Sequence, residues 1–142
     1  MADLKIQKEI KKVLTEMFDA YSLKNIEKSI ECVDEKFFMF GSGKDEIAKN
    51  LKDLKKGLTR DFSQVDELKC SIKFVHLENN SNTAWVSGYV TYIVRIKKEK
   101  NVYQYRYTCV LENKNKKWKL VLAHLSEPSS QQESGKSFAK VK

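Results

Sequence analysis

Apolar residues recur with helical spacing through the N-terminal segment. Ile6, Ile10, Val13, Leu14, Met17, Phe18 and Tyr21 fall on one face, with lysine and glutamate opposite, so the pattern predicts a helix over residues 4–21. A second, shorter helix follows from Ile26, Ile30 and Val33 at i, i+4 and i+7. The run Phe37-Phe38-Met39-Phe40, ended by Gly41-Ser42-Gly43, reads as a buried strand and a turn. A third helix is expected to open near Lys44-Asp45-Glu46, with acids in its first turn, and to carry Ile47, Leu51, Leu54 and Leu58 inward.

Past Ser63 the period changes to two. Residues 68–77, 84–96, 102–112 and 118–126 read as strands rich in β-branched and aromatic residues. Polar stretches at 79–82, 97–101 and 113–117 separate them as turns. On the first strand Cys70, Ile72, Phe74 and His76 share a face. The last two strands are apolar on both sides, a pattern that requires both faces to be covered. Together these elements give an α+β fold: three N-terminal helices packed on a strongly curved antiparallel sheet, with a hollow on one side and an apolar surface on the other.

With 142 residues, a single domain over 1–128 is expected, followed by a flexible polar tail at 129–142. No apolar stretch approaches the roughly 18 residues of a membrane span, and the charged N-terminus has no apolar signal core, so a soluble, cytoplasmic chain is expected. The three cysteines, Cys32, Cys70 and Cys109, lack paired spacing and read as buried thiols of a reducing compartment. A net charge of +8 raises nucleic-acid binding as a function class, yet only three of the 27 basic residues are arginine, namely Arg60, Arg95 and Arg106. Arginine is the residue suited to bidentate phosphate contacts, and the lysines fall in separate turns, so the charge reads as solvated surface. Neither nucleic acid nor membrane is expected as a partner.

The turn Phe40-Gly41-Ser42-Gly43-Lys44-Asp45-Glu46, the stretch Arg60-Asp61-Phe62-Ser63-Gln64, Ala84-Trp85-Val86-Ser87-Gly88, and the ending His124-Leu125-Ser126-Glu127-Pro128, in this order of elements, resemble SnoaL-like domains. These belong to the nuclear transport factor 2-like (NTF2-like) superfamily, which includes ketosteroid isomerases, polyketide cyclases and a kinase association domain. The resemblance implies a cone: the sheet wraps around the first helix, leaves a pocket at the wide end, and dimerises through its outer face. The isomerases use a carboxylate base with a tyrosine and a protonated aspartate as oxyanion hole. Carried onto this chain, those positions fall at Gly41, Met17 and Thr108, none of which can serve, so that activity is not expected.

No metal-ligand set, phosphate loop or nucleophile triad is indicated, and no cofactor is implied. The leading expectation is a protein that binds a small molecule, an acidic one among the candidates, with no assigned chemistry. An isomerase or cyclase, or a non-catalytic assembly module, are the alternatives. Arg106, alternating with Thr108 and Val110, is expected to face into the cone and meet a ligand's anion, or else to pair with an acid such as Asp19 or Glu16. Trp85, Tyr89, Met17, Tyr21 and Ala123 complete the expected binding wall. Trp118, Leu120, Leu122 and His124 are assigned to an outer, self-associating face.

Overall fold

The computed structural model describes residues 4–138. The apolar stripe at the N-terminus forms helix α1 (Leu4–Ser22), which buries Ile10, Leu14, Phe18 and Ala20. It ends where Lys24 adopts a left-handed backbone (φ 56), with Asn25 N–H donating to Ala20 O and Lys24 N–H to Tyr21 O, the paired bonds that close a helix C-terminus. Asn25 then caps α2 (Ile26–Ile30), its side chain accepting from Lys28 N–H. Strand β1 (Val33–Phe40) follows, then a two-residue strand β2 (Ile47–Ala48) paired antiparallel with it.

Helix α3 spans Leu51–Ser63, later than the sequence pattern predicts. Residues 41–46 instead fold back as a hairpin loop, closed by Gly41 N–H donating to Glu46 O at 2.7 Å. The capping residue is Asn50, whose side chain accepts from Asp53 N–H. Asp53, not Asp45 or Glu46, supplies the first-turn acid. Ile47 is 45% exposed on β2 rather than inward on a helix.

The remaining strands are β3 (Glu67–Asn79), β4 (Thr83–Ile96), β5 (Glu99–Lys114) and β6 (Lys117–Ser126), in sheet order β2-β1-β6-β5-β4-β3. β3 to β6 form the expected antiparallel meander, and β1 adds to β6 in parallel, making the sheet mixed. Two hairpins turn through paired left-handed residues, Lys97-Lys98 and Asn115-Lys116, a geometry matched to strand twist. The concave face closes on α1 and buries Val86, Val90, Tyr107, Cys109, Leu111 and Trp118, among others. Ser22 at the end of α1 pins the β3 edge, accepting from Cys70 N–H at 2.8 Å.

Two irregularities correct the assignment of faces. A register shift between Phe74 and His76 leaves Val75 62% exposed and puts His76 outside, not with Cys70. A second shift pairs Val110 with Leu122 but Leu111 with Leu120; Val121 is the extra residue, and the parity of β6 flips there. Trp118 and Leu120 are therefore core, at 4% and 2% exposed, whereas Leu122 and His124 face out. On β5 the inward set is Tyr105, Tyr107, Cys109 and Leu111, so Arg106 and Thr108 point outward, opposite to expectation. A strand apolar on both faces carries no parity of its own; its partners set it.

Gly88 sits where β4 crosses that first irregularity, and a Cβ there would run into the Lys73 backbone. Gly88→Ala is expected to cost about 1–3 kcal/mol, the range for forced overpacking, read as a lower urea midpoint. An unchanged midpoint would mean that the strands separate freely at this point.

Residues 129–138 hold turns and bends without helix or strand. The end of the expected tail, 139–142, lies outside the described residues.

Candidate functional site

Between α1, α3 and the concave sheet lies a cavity of about 640 Å³. Apolar side chains form most of its wall, including Met17 and Phe18 of α1, Leu54 and Leu58 of α3, and Val94 and Leu125 of the sheet. Its polar lining includes Tyr21, Glu46 and Asp61. Leu54, Leu58 and Asp61 lie at i, i+4 and i+7 on α3, so the stripe that docks the helix also aims a carboxylate into the hollow. Tyr21, at the end of the α1 stripe, donates its hydroxyl to Asp61 Oδ2 at 2.9 Å.

Burial raises the proton affinity of Asp61; the Tyr21 hydrogen bond opposes this, the nearby Glu46 charge adds to it and Arg60 offsets it. Burial and then the Asp61 charge push the Tyr21 hydroxyl well above the usual range. Tyr92 and Tyr107 are raised by burial first, and Tyr105 by burial against a hydrogen bond from Ser42. The tyrosines thus line the hollow as neutral phenols at neutral pH.

Aromatic rings run as a chain along this wall. Tyr21 meets Phe62 at 5.0 Å between centroids and Tyr92 at 5.7 Å. Tyr92 meets Tyr105 edge-on at 5.5 Å, and Tyr105 stacks on Tyr103 at 6.4 Å. At the rim Arg60 binds Asp45 at 3.2 Å and Glu46 at 3.6 Å, fastening the 41–46 loop to α3. A Cβ at Gly41 or Gly43 would collide with the Glu46 carboxylate, so these glycines leave it room to lie over the loop.

Of the residues expected to bind ligand, Met17, Tyr21 and Ala123 lie on the cavity wall. Trp85, Tyr89, Arg106 and Thr108 stand together on the convex face instead: Tyr89 pairs with Arg106 and Ser87 with Thr108 across β4 and β5. The arginine that motivated an acidic ligand is therefore outside the hollow. Sequence reasoning missed Asp61, Glu46, Tyr92 and Tyr105, and Asp61 and Glu46 bring carboxylates to the hollow from positions other than those matching the isomerase residues. An acid on an apolar helical stripe was the available signal.

Burial also raises the thiols, Cys32 to about 11 and Cys109 to about 12, which keeps them protonated and poorly nucleophilic at neutral pH. Among the described residues no group of three or more His, Cys, Asp or Glu is arranged to hold a metal ion, and no helix is long and apolar enough to cross a membrane.

The folded chain holds a proton on Asp61 at pH values where the unfolded chain, with an ordinary value of about 3.9, has released it. Stability from this group therefore falls as pH rises from about 4 through the folded-state value. The charged and titratable groups facing it are Tyr21 from α1, Glu46 from the loop and Arg60 from its own helix. Asp61→Asn is expected to flatten this part of the profile and to exceed the wild type in stability at neutral pH, measured by urea unfolding from pH 4 to 8. A variant that is less stable at pH 7 with the slope unchanged contradicts this assignment.

The family model described as SnoaL-like domain matches residues 10–130. No curated protein sequence matches significantly. Among solved structures, an NTF2-like superfamily protein from Salmonella enterica serovar Typhimurium superposes with TM-score 0.81 at 9% identity, covering 94% of this chain and 98% of its own. A candidate aromatic ring hydroxylase from Novosphingobium aromaticivorans gives TM-score 0.81 at 14% identity, covering 91% and 93%. A candidate scytalone dehydratase from the same organism gives 0.78 at 16%, covering 87% and 84%. At these identities the likeness is one of fold.

Proposed function

This chain belongs to the SnoaL-like domain family of the NTF2-like superfamily, and from that premise we propose that its cone cavity binds a small, largely apolar molecule whose polar end meets Tyr21 and Asp61. The observation carrying this reading is a hollow of about 640 Å³ with mostly apolar walls, into which the hydrogen-bonded pair Tyr21 and Asp61 is set. That size and lining are typical of small-molecule sites. A thermal-shift screen of ring-containing compounds tests it, because a ligand held only by the folded state raises Tm. Stabilisers are expected whose effect weakens in Tyr21→Phe; a chemically diverse set with no stabiliser rejects the reading.

Proton transfer on the bound molecule is a second reading, favoured by one observation. Asp61 combines raised proton affinity with a hydrogen-bonded phenol in an apolar hollow, and a carboxyl shifted upward by burial is suited to give or take a proton. Turnover of a stabilising compound, lost in Asp61→Asn while binding persists, separates catalysis from binding.

Self-association through the convex face completes the proposal. Trp85, Val110, Leu122 and Phe38 form one cross-strand row, with Trp85 41% and Leu122 46% exposed. Phe40 and His124 flank it. A contiguous apolar row of this kind fits a second copy of the same face.

A further inference from the structure

The charge of the cavity runs against that of the chain. The protein carries a net charge of +8, yet the hollow is lined by Asp45, Glu46, Asp53 and Asp61 against Lys56 and Arg60. Arg60 is held by Asp45 and Glu46 at the rim, and Asp45 and Lys56 are both exposed, so the acid excess of the lining rests on Asp53 and Asp61. The aromatic wall adds a second attraction of the same sign. Ring faces carry negative potential, and a cation within about 6 Å of a ring centroid is drawn to it. Tyr21, Tyr92 and Tyr105 place such rings on the lining, and Tyr21 meets Asp61 directly.

We propose that the molecule bound in this hollow carries a cationic nitrogen, a protonated or quaternary amine on an apolar body, seated against the tyrosine wall with Asp61 and Glu46 as its counter-charges. The inference rests on the pocket-binding reading and narrows it to one ligand class. An anion would meet the two carboxylates without a basic group free to receive it. A neutral ring would fill the apolar wall but gain no charge attraction from the carboxylates. A cation satisfies both, and its charge would favour the ionised form of Asp61 that burial disfavours.

Three probes of one shape test the inference on the full chain at neutral pH: 2-phenylethylamine as cation, 2-phenylethanol as neutral counterpart and phenylacetate as anion. Each is titrated while the protein is followed by NMR chemical shift. The amine is expected to bind at least about 10-fold more tightly than the alcohol, with phenylacetate weakest. Asp61→Asn is expected to remove most of the amine's advantage, read as the ratio of amine to alcohol affinity within the same variant; should that variant fail to fold, Glu46→Gln is expected to reduce the ratio in the same direction. Equal binding of amine and alcohol, or tightest binding of phenylacetate, overturns the cation assignment and leaves the pocket reading standing. Failure of all three to bind overturns the cation assignment too, and a library screen without stabilisers then removes the pocket reading with it.

Discussion

Tyr107→Ala is expected to lower the folding free energy by about 3–5 kcal/mol, the cost of truncating a large aromatic in a core, whereas Arg106→Ala one position earlier changes it by no more than about 0.5 kcal/mol. Tyr107 is 2% exposed and meets the Phe18 ring edge-on at 5.4 Å, so its ring ties β5 to α1. Arg106 lies exposed on the convex face. For a domain of this size the tyrosine variant should melt roughly 10–20 °C lower. Calorimetry on both variants reads the comparison directly. A large loss at Arg106 with a small one at Tyr107 would reverse the faces of β5 and move the cavity wall to the other residue set.

Leu122→Glu is expected to convert a dimer to a monomer, seen by light scattering coupled to gel filtration. The side chain is nearly half exposed in the apolar row of the convex face, and a twofold contact would place each substitution at the interface twice. Trp85→Ala should weaken association by about 2 kcal/mol or more, as buried tryptophans at interface centres do. Wild-type chain that remains monomeric at high micromolar concentration contradicts the self-association proposal, whatever the variants do.

The helical stripe of α1 and the alternating meander could be read from residue spacing, because one period had an obvious apolar face and the other had clear polar turns. Faces were harder. Tyr105 to Leu111 alternates between two apolar sets, so nothing local decides which is inside; the β6 shift at Val121 and the packing of Tyr107 on α1 decide it. The same ambiguity displaced Arg106, Thr108, Trp85 and Tyr89 from the expected wall to the convex face. Asp61 was hidden for a different reason. It stood in a stretch read only for its resemblance to SnoaL-like domains, although its i+7 spacing from Leu54 already aligned it with the buried side. The parallel pairing of β1 with β6 joins segments some eighty positions apart, and spacing within either segment carries no trace of it.

That parallel pairing also governs the order in which the chain can assemble. β1 is made some eighty residues before β6, its long neighbour and the final strand of the sheet. Loop-closure entropy must be met before the pairing forms. β1, with Phe37 and Phe38 among its apolar side chains, must therefore wait until β6 has been made before its pairing can shelter it. During that interval its dependence on chaperones should be greatest.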